Sequence, residues 1–274
     1  MKRALDSIGI DFGASYTDAV ELKHGLPWKF SSMPSNSSSI KILAEMFGPS
    51  ASSRRTEKRF AITGGVKLRK EFLKLVRTSG IKFIQVDELQ AVAAGAAFLS
   101  GKKRFIAANV GTGTPIIFVN GKKFEHLGGT GVGGGTLAGL ANLLLDEKVE
   151  NLEALAKYGK SSLDLTVFDI VGSGIGIIPA NATASNFARA RRTRSPARED
   201  LALSLLKLVG ETIGVISALA AAKMKCGEIV FTGRPIALNS ILRKKVSETV
   251  GLFGKKAFFP PKAEYCTAIG AALA

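Results

Sequence analysis

The chain has 274 residues, of which 46% are hydrophobic and 22% charged, so extensive disorder is excluded and there is room for two modest domains. The formal net charge of +16 favours anionic partners, such as nucleotides, acidic metabolites, nucleic acid or an anionic membrane surface, although such a charge also serves solubility. Cys226 and Cys266 are the two cysteines, and their spacing fits neither zinc nor iron–sulfur binding.

Targeting signals are not expected in this sequence. Asp6 and Asp11 interrupt the apolar stretch near the N-terminus, which therefore does not match a signal peptide. Apolar runs such as residues 213–222 are too short to span a bilayer. We expect a cytoplasmic protein that does not enter a membrane.

The first hundred residues predict an α/β arrangement that begins with a hairpin. Residues 7–12 read as a buried strand that ends in an acid, and a glycine turn at Gly13-Ala14-Ser15 connects it to a second strand over 17–22. Asp87 stands where the N-cap of a further helix is expected. Between them we expect a polar, turn-rich stretch at 26–39, a helix at 40–47, a charged loop at 50–59, a strand ending at Gly64-Gly65, a basic helix at 66–78 and a strand at 81–86.

The same pattern then starts again. Asn109-Val110-Gly111-Thr112-Gly113 aligns with Asp11-Phe12-Gly13-Ala14-Ser15, and each stretch joins two apolar strands. A third strand follows an Asn-Gly turn at residues 120–121. The repeat predicts an internally duplicated α/β fold with a cleft between its halves, and the alternative is a chance likeness of two hairpins.

The remaining residues predict mostly helices. The expected elements are helices at 135–145 and 151–157, a polar loop around 164–172, a long helix at 198–223, a strand ending at Gly233, then a helix, a short strand and a last helix.

Four glycine turns indicate phosphate binding. Gly13, the Gly111–Gly113 turn and Gly233 each follow an apolar strand, and a glycine run at 128–136 precedes a helix. Glycine lets backbone N–H groups approach phosphate closely, and a helix N-terminus favours an anion. The sequence holds no P-loop motif, and no dinucleotide-binding fingerprint follows the first strand.

The chain resembles the type II pantothenate kinases of the actin/hexokinase-type ATPase superfamily, whose fold is a duplicated ribonuclease-H-like domain. The matching stretches occur in the family's order and span nearly the whole chain: GIDFGAS (9–15), EKRFAITGG (57–65), VDELQAVAAG (86–95), ANVGTGTPI (108–116), GGTGVGGGTLAGLANLLL (128–145), ASNFA (184–188), IVFTG (229–233) and AIGAAL (268–273).

This resemblance implies an ATP- and Mg²⁺-dependent kinase that phosphorylates the hydroxyl of pantothenate or a related compound, in coenzyme A biosynthesis. Glu88 would be the catalytic base, and Asp11 would hold Mg²⁺ through water. His126 and Gly128 would contact the acceptor. The residues implied to bind ATP are Gly13, Ala14, Ser15, Thr112, Gly113, Gly134, Gly135, Thr136, Leu137, Ala138 and Gly233.

The resemblance also implies a domain organisation and an oligomeric state. We expect an N-terminal ribonuclease-H-like domain at 1–100 and a second at 101–264, with a C-terminal helix at about 265–274 packed back on the first. A homodimer is expected, with the helix at 198–223 as a candidate interface. From sequence alone, Glu88 could equally be an ordinary first-turn acid of a helix that Asp87 caps.

The sequence departs from the family pattern at Ala14-Ser15, Asp18, His126 and Arg234, and two of these changes bear directly on the ligands. Asp18 stands where the family has a lysine, so an anion replaces a cation that contacts phosphate. His126 stands where the family has an arginine that contacts pantothenate, so a carboxylate-bearing acceptor is less well supported than the fold and the use of ATP.

A basic run between residues 189 and 198 has two readings. It carries Arg189, Arg191, Arg192, Arg194 and Arg198. It is either a solvated loop before a helix or an anion clamp that compensates for the missing lysine. Binding of nucleic acid is unlikely, since no aromatic residue is interleaved after Phe187.

Two other functions remain open at this stage. One is an ATPase that activates a partner protein, like the activators of 2-hydroxyacyl-CoA dehydratases, although the cysteines do not match the cluster ligands of those proteins. The other is a basic protein that binds nucleic acid on an inactive kinase scaffold, which would show a steep salt dependence of binding.

Overall fold

A computed structural model describes residues 6–47, 59–76 and 83–274. The chain divides into two compact units, of which unit 1 comprises 1–103, 119–126 and 260–274, and unit 2 comprises 104–118 and 127–259. Three predictions fall partly outside the described residues: the charged loop before Arg59, the end of the helix at 66–78 and the start of the strand at 81–86.

The secondary structure is as follows. The strands are β1 (Ser7–Phe12), β2 (Tyr16–Lys23), β3 (Leu26–Pro34), β4 (Arg59–Gly64), β5 (Phe83–Gln85), β6 (Arg104–Asn109), β7 (Thr114–Asn120), β8 (Lys123–Thr130), β9 (Leu165–Thr166), β10 (Thr183–Ser185), β11 (Glu228–Thr232) and β12 (Lys256–Phe258). The α-helices are α1 (Ser37–Phe47), α2 (Val66–Val76), α3 (Glu88–Ser100), α4 (Gly134–Leu145), α5 (Leu152–Ala156), α6 (Val167–Val171), α7 (Arg198–Lys223), α8 (Arg234–Leu238), α9 (Ser240–Leu252) and α10 (Cys266–Leu273).

Unit 1 is built on a five-stranded sheet in the order β3-β2-β1-β4-β5. β1 runs antiparallel to β2 and parallel to β4. Successive side chains of a strand point to opposite faces. Ile8, Ile10 and Phe12 of β1 share one buried cluster with residues of α1 and α2. The other face, which carries Asp11, packs against α10.

Unit 2 repeats this plan. Its sheet has the order β8-β7-β6-β11-β12, which matches the order of the first sheet strand for strand, and β6, β11 and β12 are parallel. The predicted duplication of an α/β unit is therefore confirmed. A large apolar core formed by the sheet strands and α4, α5, α7 and α9 supports this sheet.

Helix α7 is the longest helix, with 26 residues. Among the described residues it alone is long and apolar enough to cross a membrane by length and composition. Its apolar residues, such as Leu205, Val209 and Ile213, are fully buried in the core of unit 2, and the helix packs against α4, α5 and α9. These contacts are those of a core helix.

The structure differs from the sequence-based expectations in three places. The stretch predicted to be polar and turn-rich contains β3, which lies at an edge of its sheet. An edge strand tolerates exposed polar side chains and prolines near its ends, here Pro27 and Pro34. The polar loop predicted around 164–172 contains β9 and α6, which Thr166 caps. The single helix predicted after Gly233 is interrupted at Asn239, which caps α9.

Candidate functional site

The first glycine turn of unit 1 lies directly after Asp11 and leads from β1 into β2. The Ser35 hydroxyl donates a hydrogen bond of 2.6 Å to the Gly13 carbonyl, and the Ser35 N–H donates one of 2.9 Å to the Ser15 carbonyl. A Cβ at Gly13 would lie 2.5 Å from the Tyr16 carbonyl oxygen. The turn is therefore held in one shape, while Ala14 and Ser15 remain exposed.

Asp11 lies among carboxylates. Its pKa is raised to about 8, chiefly by burial and then by the charges of Glu88 and Asp18. A hydrogen bond with the Thr267 side chain acts in the opposite direction. A metal ion or another cation at this position would relieve the repulsion, because it favours the charged form of a carboxylate.

A close crossing of α3 and α10 brings Glu88 and Thr267 near Asp11. A Cβ at Gly270 would overlap the Ala91 carbonyl, and one at Gly95 would overlap the Cys266 carbonyl. The two helices can approach this closely only because both positions are glycine. Both glycines lie in stretches that match the family, yet this contact and the role of Thr267 were not predicted from the sequence.

Glu88 is the first residue of α3 and is exposed. The capping role belongs to its neighbour, since the Asp87 carboxylate accepts a hydrogen bond of 2.9 Å from the Gln90 N–H. Glu88 is therefore not needed as the cap of this helix, and its carboxylate is accessible to a ligand.

In unit 2 the turn after β6 packs against the start of α4. The Gly134 N–H donates to the Gly111 carbonyl at 2.7 Å, and the Gly135 N–H donates to the Thr112 carbonyl at 3.0 Å. A Cβ at Gly135 would lie 2.7 Å from Thr112 Cγ2 and 3.0 Å from its carbonyl oxygen. Two N–H groups that the glycine pattern predicted to face phosphate thus donate hydrogen bonds within the protein. The absence of a Cβ at these glycines allows the two turns to pack together.

Gly233 joins the same cluster of turns. Its φ is +95°, and a Cβ there would overlap the Val110 carbonyl oxygen. The Val110 N–H in turn donates to the Thr232 carbonyl at 2.8 Å. The structure therefore brings together the glycine segments around Thr112, Gly134 and Gly233, as expected if they share one ligand.

The first turn of α4 has a mixed character. The Thr136 hydroxyl donates to the Gly131 carbonyl at 3.1 Å and accepts from the Gly133 N–H at 3.2 Å. Leu137 is buried in the core, whereas Ala138 is exposed. Gly113 is partly buried beside the Thr130 carbonyl oxygen, which a Cβ would approach to 3.0 Å.

The two residues predicted to contact the acceptor both lie on β8. His126 is exposed, and Gly128 is partly buried with φ +121°, a backbone conformation that favours glycine. An exposed imidazole on a strand is free to contact a ligand.

Two arginines of the basic run form ion pairs. Arg189 lies 2.6 Å from Asp169, whose pKa is lowered first by hydrogen bonds from Thr166 and then by Arg189. Arg198 lies 2.9 Å from Glu147. The others are exposed, so the run combines structural ion pairs with a solvated basic surface.

A buried ion pair that the sequence did not reveal lies nearby. Lys207 Nζ is 2.7 Å from Asp164 Oδ2, and both side chains are buried. Asp164 Oδ1 also accepts a hydrogen bond of 2.9 Å from the N–H of Phe187, whose φ of +59° is rare for a bulky residue. The pair therefore holds the matched ASNFA stretch against α7.

Comparisons with known structures define the class of fold. The activator of 2-hydroxyisocaproyl-CoA dehydratase from Clostridium difficile, solved with bound ADPNP, aligns with a TM-score of 0.66 and 16% identity over 98% of this chain and 93% of its own. A ROK family glucokinase from Streptomyces griseus aligns with a TM-score of 0.59 and 13% identity over 97% and 98%. The fold is that of the actin/hexokinase-type ATPases, as predicted.

Sequence comparisons define the family. The family model described as Fumble matches residues 102–274. A type II pantothenate kinase of Bacillus cereus is 34% identical over 79% of this chain and 81% of its own length, and one of Bacillus anthracis is 30% identical over 97% and 96%. The chain belongs to the type II pantothenate kinase family. The predictions of this family and of an ATP-dependent kinase are confirmed.

Proposed function

We propose that this chain transfers the γ-phosphoryl group of ATP to the hydroxyl of pantothenate, or of a closely related compound. The observation that carries the proposal is the proximity of two carboxylates, Asp11 on β1 and Glu88 at the start of α3, where the charge of Glu88 raises the pKa of Asp11. The chain that holds this pair belongs to a kinase family. Phosphoryl transfer depends mainly on positioning and on neutralising charge, and acidic groups beside a glycine turn suit both tasks.

The residues of the chain have separate roles in this proposal. Glu88 takes the proton of the acceptor hydroxyl as its oxygen attacks the γ-phosphorus and ADP leaves. Thr112 and the first turn of α4 hold ATP, together with Gly13, Ala14, Ser15 and Gly233. His126 and Gly128 contact the acceptor.

Mg²⁺ is the proposed cofactor, and Asp11 is the residue proposed to hold it through water. Carboxylate oxygens are the ligands that Mg²⁺ prefers. Within the described part of the chain, no group of three or more His, Cys, Asp or Glu residues is arranged to hold a metal ion. This fits Mg²⁺, which commonly takes one or two carboxylates and completes its shell with water and phosphate. When bound, it would neutralise charge on the phosphoryl oxygens.

The test is ADP release with Mg²⁺ and ATP in the presence of pantothenate, pantetheine and a panel of small hydroxy acids and sugars. We expect turnover with pantothenate, and a loss of about 10²–10⁴-fold in kcat in Glu88→Gln. Nucleotide affinity in Glu88→Gln should match the wild type, which separates lost chemistry from lost folding. Turnover only with another hydroxyl compound would reassign the acceptor, and no turnover with any of them would contradict the proposal.

We also propose a homodimer in the cytoplasm. Support for the dimer comes from exposed apolar side chains on α7, where Leu219 is 54% exposed, and on the segment after β9. The exposed apolar residues of that segment are Phe168, Ile170, Val171, Ile175, Ile177 and Ile178. The location is supported by Cys226 and Cys266, which are buried free thiols. Light scattering would give twice the mass of one chain, and Leu219→Glu would shift it towards the monomer.

A partner-activating ATPase receives less support. The cysteines of this chain do not match the cluster ligands expected of such an activator, and both are buried. Nucleic-acid binding is not part of the proposal either, since two arginines of the basic run already form ion pairs.

A further inference from the structure

Three polar side chains lie in one row across the sheet of unit 1. Asp11 on β1 pairs with Asp18 on β2 and with Thr63 on β4. Residues directly opposite one another on neighbouring strands have side chains on the same face. Asp18 is 7% exposed and Thr63 is fully buried. The row therefore places the partly buried Asp11 between the buried side chains of Asp18 and Thr63.

The face of the sheet that carries this row is the one covered by α10. The Ser7 hydroxyl, four residues before Asp11 and on the same face, donates 2.7 Å to the Ala272 carbonyl of α10. Val20, two residues after Asp18, belongs to a buried cluster with Ala268 and Ala272. Solvent therefore reaches Asp18 poorly, and its repulsion of Asp11 is weakly screened.

Within the part of the chain that the structure describes, the groups that shift the pKa of Asp11 do not include a positive charge. They are burial, the carboxylates of Glu88 and Asp18, and a hydrogen bond with Thr267. In the family pattern a lysine would stand at position 18. Here the row contains a second acid instead, so Asp18 repels a negative charge on Asp11 where a lysine would neutralise it.

The Thr63 hydroxyl supplies an independent observation. Among the described residues its Oγ1 has no hydrogen-bond partner, although it is fully buried beside Asp11. A buried polar group without a partner is unfavourable, and such a group in a native protein calls for an explanation such as a bound ion or water.

The duplicated counterpart in unit 2 provides a comparison for this threonine. Thr232 on β11 pairs with Asn109 on β6, just as Thr63 pairs with Asp11. There the Thr232 hydroxyl and Asn109 Oδ1 form a hydrogen bond of 2.9 Å. Unit 2 therefore satisfies its threonine with a neutral amide, whereas unit 1 leaves the equivalent hydroxyl beside the carboxylate of Asp11.

We propose that Asp11 and Asp18 together bind a divalent cation of the Mg²⁺ class without the help of a nucleotide, and that the Thr63 hydroxyl is a polar partner of the hydrated ion. Asp18 is then a metal-binding residue. The ion that it helps to bind supplies the positive charge that a lysine at this position would have supplied. Two carboxylates with water as the remaining ligands suit Mg²⁺ or Mn²⁺.

This inference deepens the proposed function and rests on it for the meaning of the ion, but ion binding can be measured without any turnover. The experiment titrates Mn²⁺ into EDTA-treated full-length protein without nucleotide, with electron paramagnetic resonance to count free Mn²⁺ and calorimetry to measure affinity. We expect one saturable site. Mg²⁺ should compete for it.

Variants of the row give the contrast. Asp18→Asn should weaken Mn²⁺ binding at least tenfold, and Asp18→Lys should abolish it. Thr63→Val, which keeps the shape of the side chain, should weaken it about fivefold, as the loss of one hydrogen bond would. Glu21→Gln, on the opposite face of β2, is the matched control and should bind Mn²⁺ like the wild type.

Two results would overturn the inference: wild-type protein that binds no Mn²⁺ without nucleotide, or Asp18→Asn protein that is folded by circular dichroism and binds as tightly as the wild type. The wild-type titration decides the matter even if a variant does not fold. If the protein phosphorylates pantothenate but binds no Mn²⁺ without nucleotide, the proposed function stands and this inference is rejected. If it binds Mn²⁺ without nucleotide but shows no turnover, this inference stands and the proposed function is rejected.

Discussion

The turns that follow β1 and β6 occupy equivalent places in the two units, yet their surroundings differ in charge. Each is next to a glycine with positive φ, +83° at Gly64 and +95° at Gly233. Unit 2 has the neutral Asn109, whose amide is bonded to Thr232, where unit 1 has Asp11 beside Asp18. A duplicated sheet thus keeps its backbone, while one exchange of amide for carboxylate turns a structural position into a charged one.

The largest effect is expected when the first unit is made like the second. Asp11→Asn removes the carboxylate proposed to act next to the transferred phosphoryl group, and kcat should fall about 10³-fold, as when a preorganised electrostatic group is lost. ADP release measures this. Asp6→Asn is the control, because its carboxylate lies outside the row and accepts a hydrogen bond from the His24 N–H; its turnover should stay at the wild-type level. Asp11→Asn protein with full turnover would contradict the proposed role.

The backbone that the units share can be broken at Gly233. Gly233→Ala should lower the free energy of unfolding by about 3 kcal/mol or more, because the residue has positive φ and a Cβ would overlap the Val110 carbonyl. Urea denaturation measures it. Gly139→Ala on α4 is the matched control, since nothing lies within 4 Å of its Cβ position, and it should be stabilising by about 0.5–1 kcal/mol. Equal stabilities of the two variants would show that the close approach is not needed.

The charge difference between the units also predicts a pH dependence. The pKa of Asp11 is raised from 3.8 to about 8, so the folded protein keeps a proton that the unfolded chain releases. In EDTA, the free energy of unfolding should therefore fall as the pH rises from about 4 to about 8. Asp11→Asn should lack this part of the decline, so it should exceed the wild type in stability at pH 8 and match it near pH 4. Urea denaturation across this range tests the sign, and parallel curves would contradict it.

The smallest effect concerns the two threonines. Thr232→Val removes the 2.9 Å hydrogen bond to Asn109 and leaves a partly buried amide without that partner, so the free energy of unfolding should fall by about 1–2 kcal/mol. Thr63→Val removes a hydroxyl that has no partner among the described residues, and in EDTA it should cost about 0.5 kcal/mol or less. Thermal or urea denaturation measures both variants. If Thr232→Val and Thr63→Val lowered the free energy of unfolding equally, the predicted contrast between the two units would be wrong.

Much of the fold could be predicted because its signals are local. The likeness of residues 11–15 to residues 109–113 predicted the duplication, and the helical spacing of Leu201, Leu205 and Leu208 predicted the bounds of α7. β3 was missed because it is an edge strand of polar residues flanked by prolines, so neither alternation nor β-propensity marks it.

The site could be predicted only in part, since its chemistry depends on contacts between distant segments. Asp11 and Glu88 were found by their motifs. The row formed by Asp11, Asp18 and Thr63 depends on the register of three strands, and register is not visible in a single strand's sequence. Gly134 and Gly135 were predicted to bind ATP, which stays a prediction; the hydrogen bonds of their N–H groups to the preceding turn were not foreseen.

The most direct test of the account is to identify the product. Wild-type protein would be incubated with Mg²⁺, ATP and pantothenate, and the mixture followed by ³¹P NMR and mass spectrometry, with Glu88→Gln in parallel. The account predicts a phosphomonoester of pantothenate that forms in step with ADP and is nearly absent with Glu88→Gln. ADP that accumulates with inorganic phosphate and no phosphorylated pantothenate, or equal product from both proteins, would contradict it.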